Sequence, residues 1–121
     1  MKNSFLALIV CLAAPAAPAA ETRDISCWAY NSRLNVTFKL TESSRPYVLM
    51  NYGGQVFTGT CNAVNRAYMR HSRTILDCHP NHPTRPLIQL HEFRDTAIGP
   101  SHTATAEFTA THTLPLKCQL P

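Results

Sequence analysis

The sequence offers no uninterrupted apolar stretch of the roughly 20 residues that a helix needs to cross a hydrocarbon core of about 30 Å. It holds no G-x-S-x-G, no H-E-x-x-H and no phosphate-binding glycine loop, so the serine-hydrolase, zinc-protease and nucleotide-binding readings lack their usual signatures. Internal repeats, low-complexity runs and a linker to a second domain are also missing. Acidic residues are scarce, seven against eleven Lys and Arg, and none falls between Asn62 and Arg73, where three arginines gather.

What is present begins with a leader. "MKNSFLALIVCLAAPAAPAAETRD" runs from one lysine through an apolar block, Phe5 to Ala14, into small residues and prolines, the order of a secretory signal peptide. The small-x-small rule places cleavage after Ala19, with Ala20 as the neighbouring option, giving a signal peptide over 1–19 and a single disulfide-stabilised β-domain over 20–121. The destination is secreted or periplasmic, and oxidising. Cleavage takes away Cys11 and leaves Cys27, Cys61, Cys78 and Cys118, an even number that reads as two disulfides in an exported chain. Of the three connectivities, Cys61 with Cys78 closes a local loop, and Cys27 with Cys118 ties the first strand-like run to the last. Removing Lys2 with the leader leaves ten cations, eight of them arginine, against the seven acids. A surplus this small gives no basis for a nucleic-acid site and points toward acidic partners if toward any.

Alternation then sets the fold class. From Ala104 to Leu120 the even positions are Ala, Ala, Phe, Ala, His, Leu, Leu, Cys and Leu, and the odd ones are mostly polar, the period of a strand with one buried face. Pro115 lacks a donor and belongs at an edge, a bulge or a break. "NVTFKL" alternates in the same way, "YVLMNY" and "QVFTGTC" flank a Gly53-Gly54 hairpin signal, and "ISCWAY" and "LIQLHEF" are further strand-like runs. One segment departs from this pattern. In Asn62 to Arg73, Val64, Ala67, Tyr68 and His71 recur with helical spacing, and Arg66, Arg70 and Arg73 fall on the other side. The expectation is a mainly β fold, a small antiparallel sandwich or barrel carrying one short helix and two disulfides.

Three sets of residues are candidates for chemistry. "CHPNHP" at Cys78 to Pro83 offers His79 and His82 as ligands of zinc or copper, since imidazole suits both ions. Against this, Cys78 is used in a disulfide, and each histidine precedes a proline that holds its backbone extended. The reading preferred is a stiff surface loop with no metal and no cofactor, and a His79/His82 metal site is the alternative. His91, Glu92 and Asp95 could be written as an acid/base group, but neighbouring strand positions point to opposite faces. The third set, Arg66, Arg70 and Arg73, is either a solvated helix face or a binding patch for carboxylate, phosphate or sulfate; a charge-reversed triple variant that unfolded would instead make the arginines structural, paired with acids such as Asp77 or Glu92.

A small secreted β-domain of this build fits a non-enzymatic binder, inhibitor or effector acting through its surface, on an acidic protein, a polysaccharide or an anionic lipid surface. A secreted metal-binding protein is the second reading. The third is a small hydrolase whose site assembles only on folding.

Overall fold

Strand-forming residues with alternating burial account for most of the structure. The computed structural model describes residues 22–30, 33–41, 44–95, 99–109 and 111–119, and these form eight strands. They are β1 (Thr22–Trp28), β2 (Leu34–Thr41), β3 (Tyr47–Tyr52), β4 (Gln55–Ala67), β5 (Ser72–Pro80), β6 (Leu87–Asp95), β7 (Gly99–Thr109) and β8 (His112–Gln119). Each strand pairs antiparallel with its neighbours in sequence, and β1 also pairs with β8, which closes the barrel. The leader expected over 1–19 lies outside the described residues.

In β2, Leu34, Val36 and Phe38 point inward while Asn35 is exposed, and β3 repeats the pattern with Val48 and Met50 inside. Ile25 of β1, Ile88 and Leu90 of β6, Ala104 and Ala106 of β7 and Leu116 of β8 complete the interior. Eight strands leave an interior just wide enough for side chains to fill it. Each large buried aliphatic or aromatic residue contributes about 1.5–3 kcal/mol by leaving water, so this core carries the stability of the barrel.

Two glycines make the β3–β4 hairpin. Gly53 and Gly54 have φ of 63° and 86°, the pair of positive values that a two-residue turn of the primed type requires, and Tyr52 pairs with Gln55 across it. Gly59 has a different task. A Cβ there would stand 2.5 Å from the Pro80 Cα and nearer still to the His79 carbonyl, so only glycine lets β4 approach β5 at this level.

Disulfides join Cys27 to Cys118 and Cys61 to Cys78, each between directly opposed residues of adjacent strands. The first lies on the seam between β1 and β8, which has three residue pairs, Ser26 with Gln119, Cys27 with Cys118 and Trp28 with Lys117. Pro115 lies in β8 beyond that seam, paired to Thr105 of β7, where the flank toward β1 asks for no donor. The strand alternation expected from Ala104 to Leu120 is divided between β7, which ends at Thr109, and β8, which begins at His112. His112, expected on the buried face, is exposed at the start of β8.

The helix expected over Asn62 to Arg73 is not formed. The segment is the end of β4, a turn at 68–71 and the start of β5, and the described residues contain no helix. The β4–β5 register shifts between Ala63 and Arg66, where Val64 and Asn65 form a bulge that interrupts the two-residue period. From Asn62 to His71 every residue but Val64 is exposed, so no buried face imposes strand alternation on the letters. A helix of one dozen residues is marginal alone, and it would have left Thr74, Leu76 and Asp77 of β5, and Glu92 and Phe93 of β6, without their strand partners.

Candidate functional site

Because the segment is a hairpin, the three arginines have separate fates. Arg66, near the end of β4, donates from Nη2 to both carboxylate oxygens of Asp77 on β5, at 2.7 and 2.8 Å. Gln89 of β6 donates to the same carboxylate at 2.9 Å. Partial burial disfavours the charged Asp77, but the hydrogen bonds from Gln89 and Arg66 outweigh it and hold its pKa below the usual carboxylate value. Arg73, at the start of β5, donates to Glu92 of β6 at 3.2 Å and to Asn65 at 3.4 Å. Arg70 stands exposed in the turn. The shared helix face for Arg66, Arg70 and Arg73 therefore does not exist, and two of the three charges are met by Asp77 and Glu92.

The turn itself is tightly built. Ser72 N–H donates to Met69 O at 3.0 Å, Met69 N–H donates to Ser72 Oγ at 2.8 Å, and His71, grouped by its spacing with Val64, Ala67 and Tyr68, is exposed with φ of 63°. Arg94 N–H donates to His71 O at 3.1 Å, which fixes the turn to the end of β6. Tyr68 and Met69 are thereby held out, 41% and 60% exposed.

Alternation along β6 sends His91 and Glu92 to opposite faces of the sheet. His91 is fully buried beneath the Tyr68 ring, with centroids 3.7 Å apart. Its Nδ1 is 2.9 Å from Thr74 Oγ1 and its Nε2 is 2.9 Å from Thr105 Oγ1, so a neutral ring donates through one nitrogen and accepts through the other. Burial pushes its pKa down to about 4, with the Asp77 charge opposing and the Arg66 charge assisting. The Thr74 to His91 contact has the form of a nucleophile and base. Thr74 is only 3% exposed, however, and no carboxylate orients the ring, so the pair is a satisfied buried network under a tyrosine roof.

Glu92 faces the other way, into the mouth of the barrel. Its Oε1 is 3.2 Å from Arg73 Nη2 and 3.9 Å from Arg94 Nε, and its Oε2 is 3.7 Å from Nε2 of the buried His102 on β7. Burial lowers the His102 pKa, Glu92 opposes this, and Arg23 adds to it. Met69, His71, Ser72, Arg73, Glu92 and Arg94 enclose a surface hollow of about 400 Å³. Reading the sequence for a helix concealed this group. Its one visible signal was the Glu92-x-Arg94 alternation at the end of a strand.

The histidines of "CHPNHP" are at the opposite end of the barrel. His79 is exposed at the end of β5 opposite Thr60. The His82 ring is taken up locally, with Nδ1 2.7 Å from Thr84 Oγ1 and accepting from Thr84 N–H at 3.1 Å, and it packs edge-on against Phe57 and Tyr52. Cys78 is in a disulfide. Among the described residues no three His, Cys, Asp or Glu side chains are grouped to hold a metal ion.

No helix among the described residues is long and apolar enough to cross a membrane. Two disulfides accord with an oxidising, extracytoplasmic compartment. Comparison with known proteins finds no matching family model, no similar curated protein and no similar solved structure.

Proposed function

We propose that this chain is a secreted or periplasmic binding protein, an inhibitor or effector without catalytic activity, that engages an acidic protein through the end of the barrel built by the β4–β5 turn. The observation that carries this reading is the turn itself, where exposed Tyr68 and Met69 stand beside the exposed cations Arg70 and Arg94. Tyrosine, methionine and arginine are the types enriched where proteins bind one another, and tyrosine and arginine dominate the binding energy there. A turn tied to β6 loses little freedom on binding, which favours affinity. A polysaccharide or an anionic lipid surface fits less well. Either would draw on a strip of unpaired guanidinium groups, and Arg66 and Arg73 are already engaged by Asp77 and Glu92.

A photo-crosslinking residue placed at Met69 in the secreted protein, in its native host, tests the reading. It should capture one protein with an acidic contact surface, and the same residue at Val56, exposed at the opposite end, should not. Equal capture from both positions, or capture of basic proteins alone, would overturn it.

A further inference from the structure

The hollow beside that turn carries an unbalanced charge and unanswered donors. Arg73 and Arg94 face a single carboxylate, Glu92, so the described charged groups of the hollow leave one positive charge in excess. Both guanidinium groups approach the same oxygen, Glu92 Oε1. Arg73 Nε is buried and has no acceptor among the described residues. Behind Glu92, the His102 side chain is only 5% exposed. Buried N–H groups in folded proteins are nearly always paired, and one left without an acceptor costs free energy until something supplies one. Arg94, whose side chain is 70% exposed, keeps most of its fork available at the rim.

We infer that the hollow is a carboxylate subsite, shaped to take one acidic side chain of the partner protein between Arg73 and Arg94. A planar carboxylate accepts N–H bonds from the outer guanidinium nitrogens of arginine and brings the hollow to neutrality. The volume lies at the small end of ligand sites, which suits a single side chain better than an extended polymer. Met69 at the wall gives the methylene arm of a glutamate an apolar surface to lie on. A doubly charged phosphate would overshoot the single excess charge. The assignment rests on the proposed function for the identity of the partner, while the subsite itself stands on the chemistry of the hollow.

The test is a titration of the ¹⁵N-labelled protein with N-acetyl-glutamic acid α-amide, set against the neutral N-acetyl-glutaminamide. The glutamate compound should move the Arg73 Nε–H resonance and the backbone amides of Ser72 and Arg94 saturably, and the glutamine compound should not. Arg73→Lys, which keeps the charge but removes the planar guanidinium fork, and Arg94→Gln should each weaken binding about tenfold while the rest of the spectrum stays folded. Arg33→Gln, an exposed position on the β1–β2 connection at the other end, should leave it unchanged. Absent shifts, equal shifts with both compounds, or undiminished binding in both hollow variants would overturn the subsite. If the Met69 crosslink captures an acidic protein but the glutamate compound does not bind, the subsite alone fails. If the compound binds as described and no acidic protein is captured, the partner reading fails and the hollow is a site for a free carboxylate.

Discussion

Tyr68 lies flat on His91, the ring centroids 3.7 Å apart and the planes within 6°, so that an exposed tyrosine roofs a fully buried histidine. Burial, to which that roof contributes, keeps the histidine neutral. Its folded pKa, about 4, lies below the value of about 6.5 that it has when exposed. The unfolded chain therefore binds the extra proton first as pH falls. The stability from neutral His91 is complete above about pH 6.5 and is lost progressively down to about pH 4, an amount on the order of 3 kcal/mol at most. Urea melts at successive pH values should show this slope, and His91→Gln should flatten it.

Removing the roof should show in the ring itself. Tyr68→Ala admits water to His91, so the His91 pKa measured by NMR should rise toward 6.5. Thr74→Val keeps the shape and leaves Nδ1 without its partner, a loss of about 1–3 kcal/mol in denaturant melts.

The two disulfides should differ in weight. Cys27 and Cys118 are 91 residues apart and Cys61 and Cys78 are 17 apart. Loop closure gives about 4–5 kcal/mol for the first and about 3 kcal/mol for the second. Replacing both members of a pair by alanine should thus lower stability more for Cys27 and Cys118 than for Cys61 and Cys78, a difference that thermal melts of the two double variants will resolve.

Single charge reversals separate the arginines. Arg66→Glu breaks the contact with Asp77 and sets two acids together, which should cost about 1 kcal/mol, a fall in Tm of about 4–8 °C. Arg70→Glu, at an exposed turn position with no ion pair among the described residues, should leave Tm within about 1 °C.

Gly59→Ala should damage the β4–β5 ladder, because the new methyl meets the backbone of His79 and Pro80 rather than a side chain that could swing aside. The loss should reach at least about 1–3 kcal/mol, while an alanine at Gly54, strained by its φ of 86° but meeting nothing, should cost about 1 kcal/mol. Denaturant midpoints of the two variants give the comparison.

Alternation made the β class legible from sequence. Where a strand keeps one buried face without interruption, as in Val36 and Phe38 or Ala104 and Ala106, the period of two survives into the letters. The Gly53-Gly54 hairpin was legible for a similar local reason, since two positive φ angles leave little choice of residue. Asn62 to Arg73 was not legible. Its meaning depends on a bulge at Val64-Asn65, which exists only in relation to the neighbouring strand, and on exposure that removes the buried face. The hollow shared that obscurity, because Arg73, Glu92 and Arg94 meet through pairings between β5 and β6, with the turn tied to Arg94 by a backbone bond. Pairing with Asp77 and Glu92 stood among the outcomes open to the arginines, and distance along the chain gave no means of choosing it.

The bond across the seam makes the polypeptide a ring in all but name. Cys27 is one residue from the end of β1 and Cys118 one residue from the end of β8. Suppose that a protease cuts once anywhere between them, in the exposed β3–β4 turn or in the loop after β5. The two fragments remain covalently attached through Cys27 and Cys118, and a cut between Cys61 and Cys78 leaves them attached twice. Both pieces keep their places in the sheet, so a nicked molecule should run as two bands only after reduction and should still present Tyr68 and Met69 unless the cut falls in their own turn.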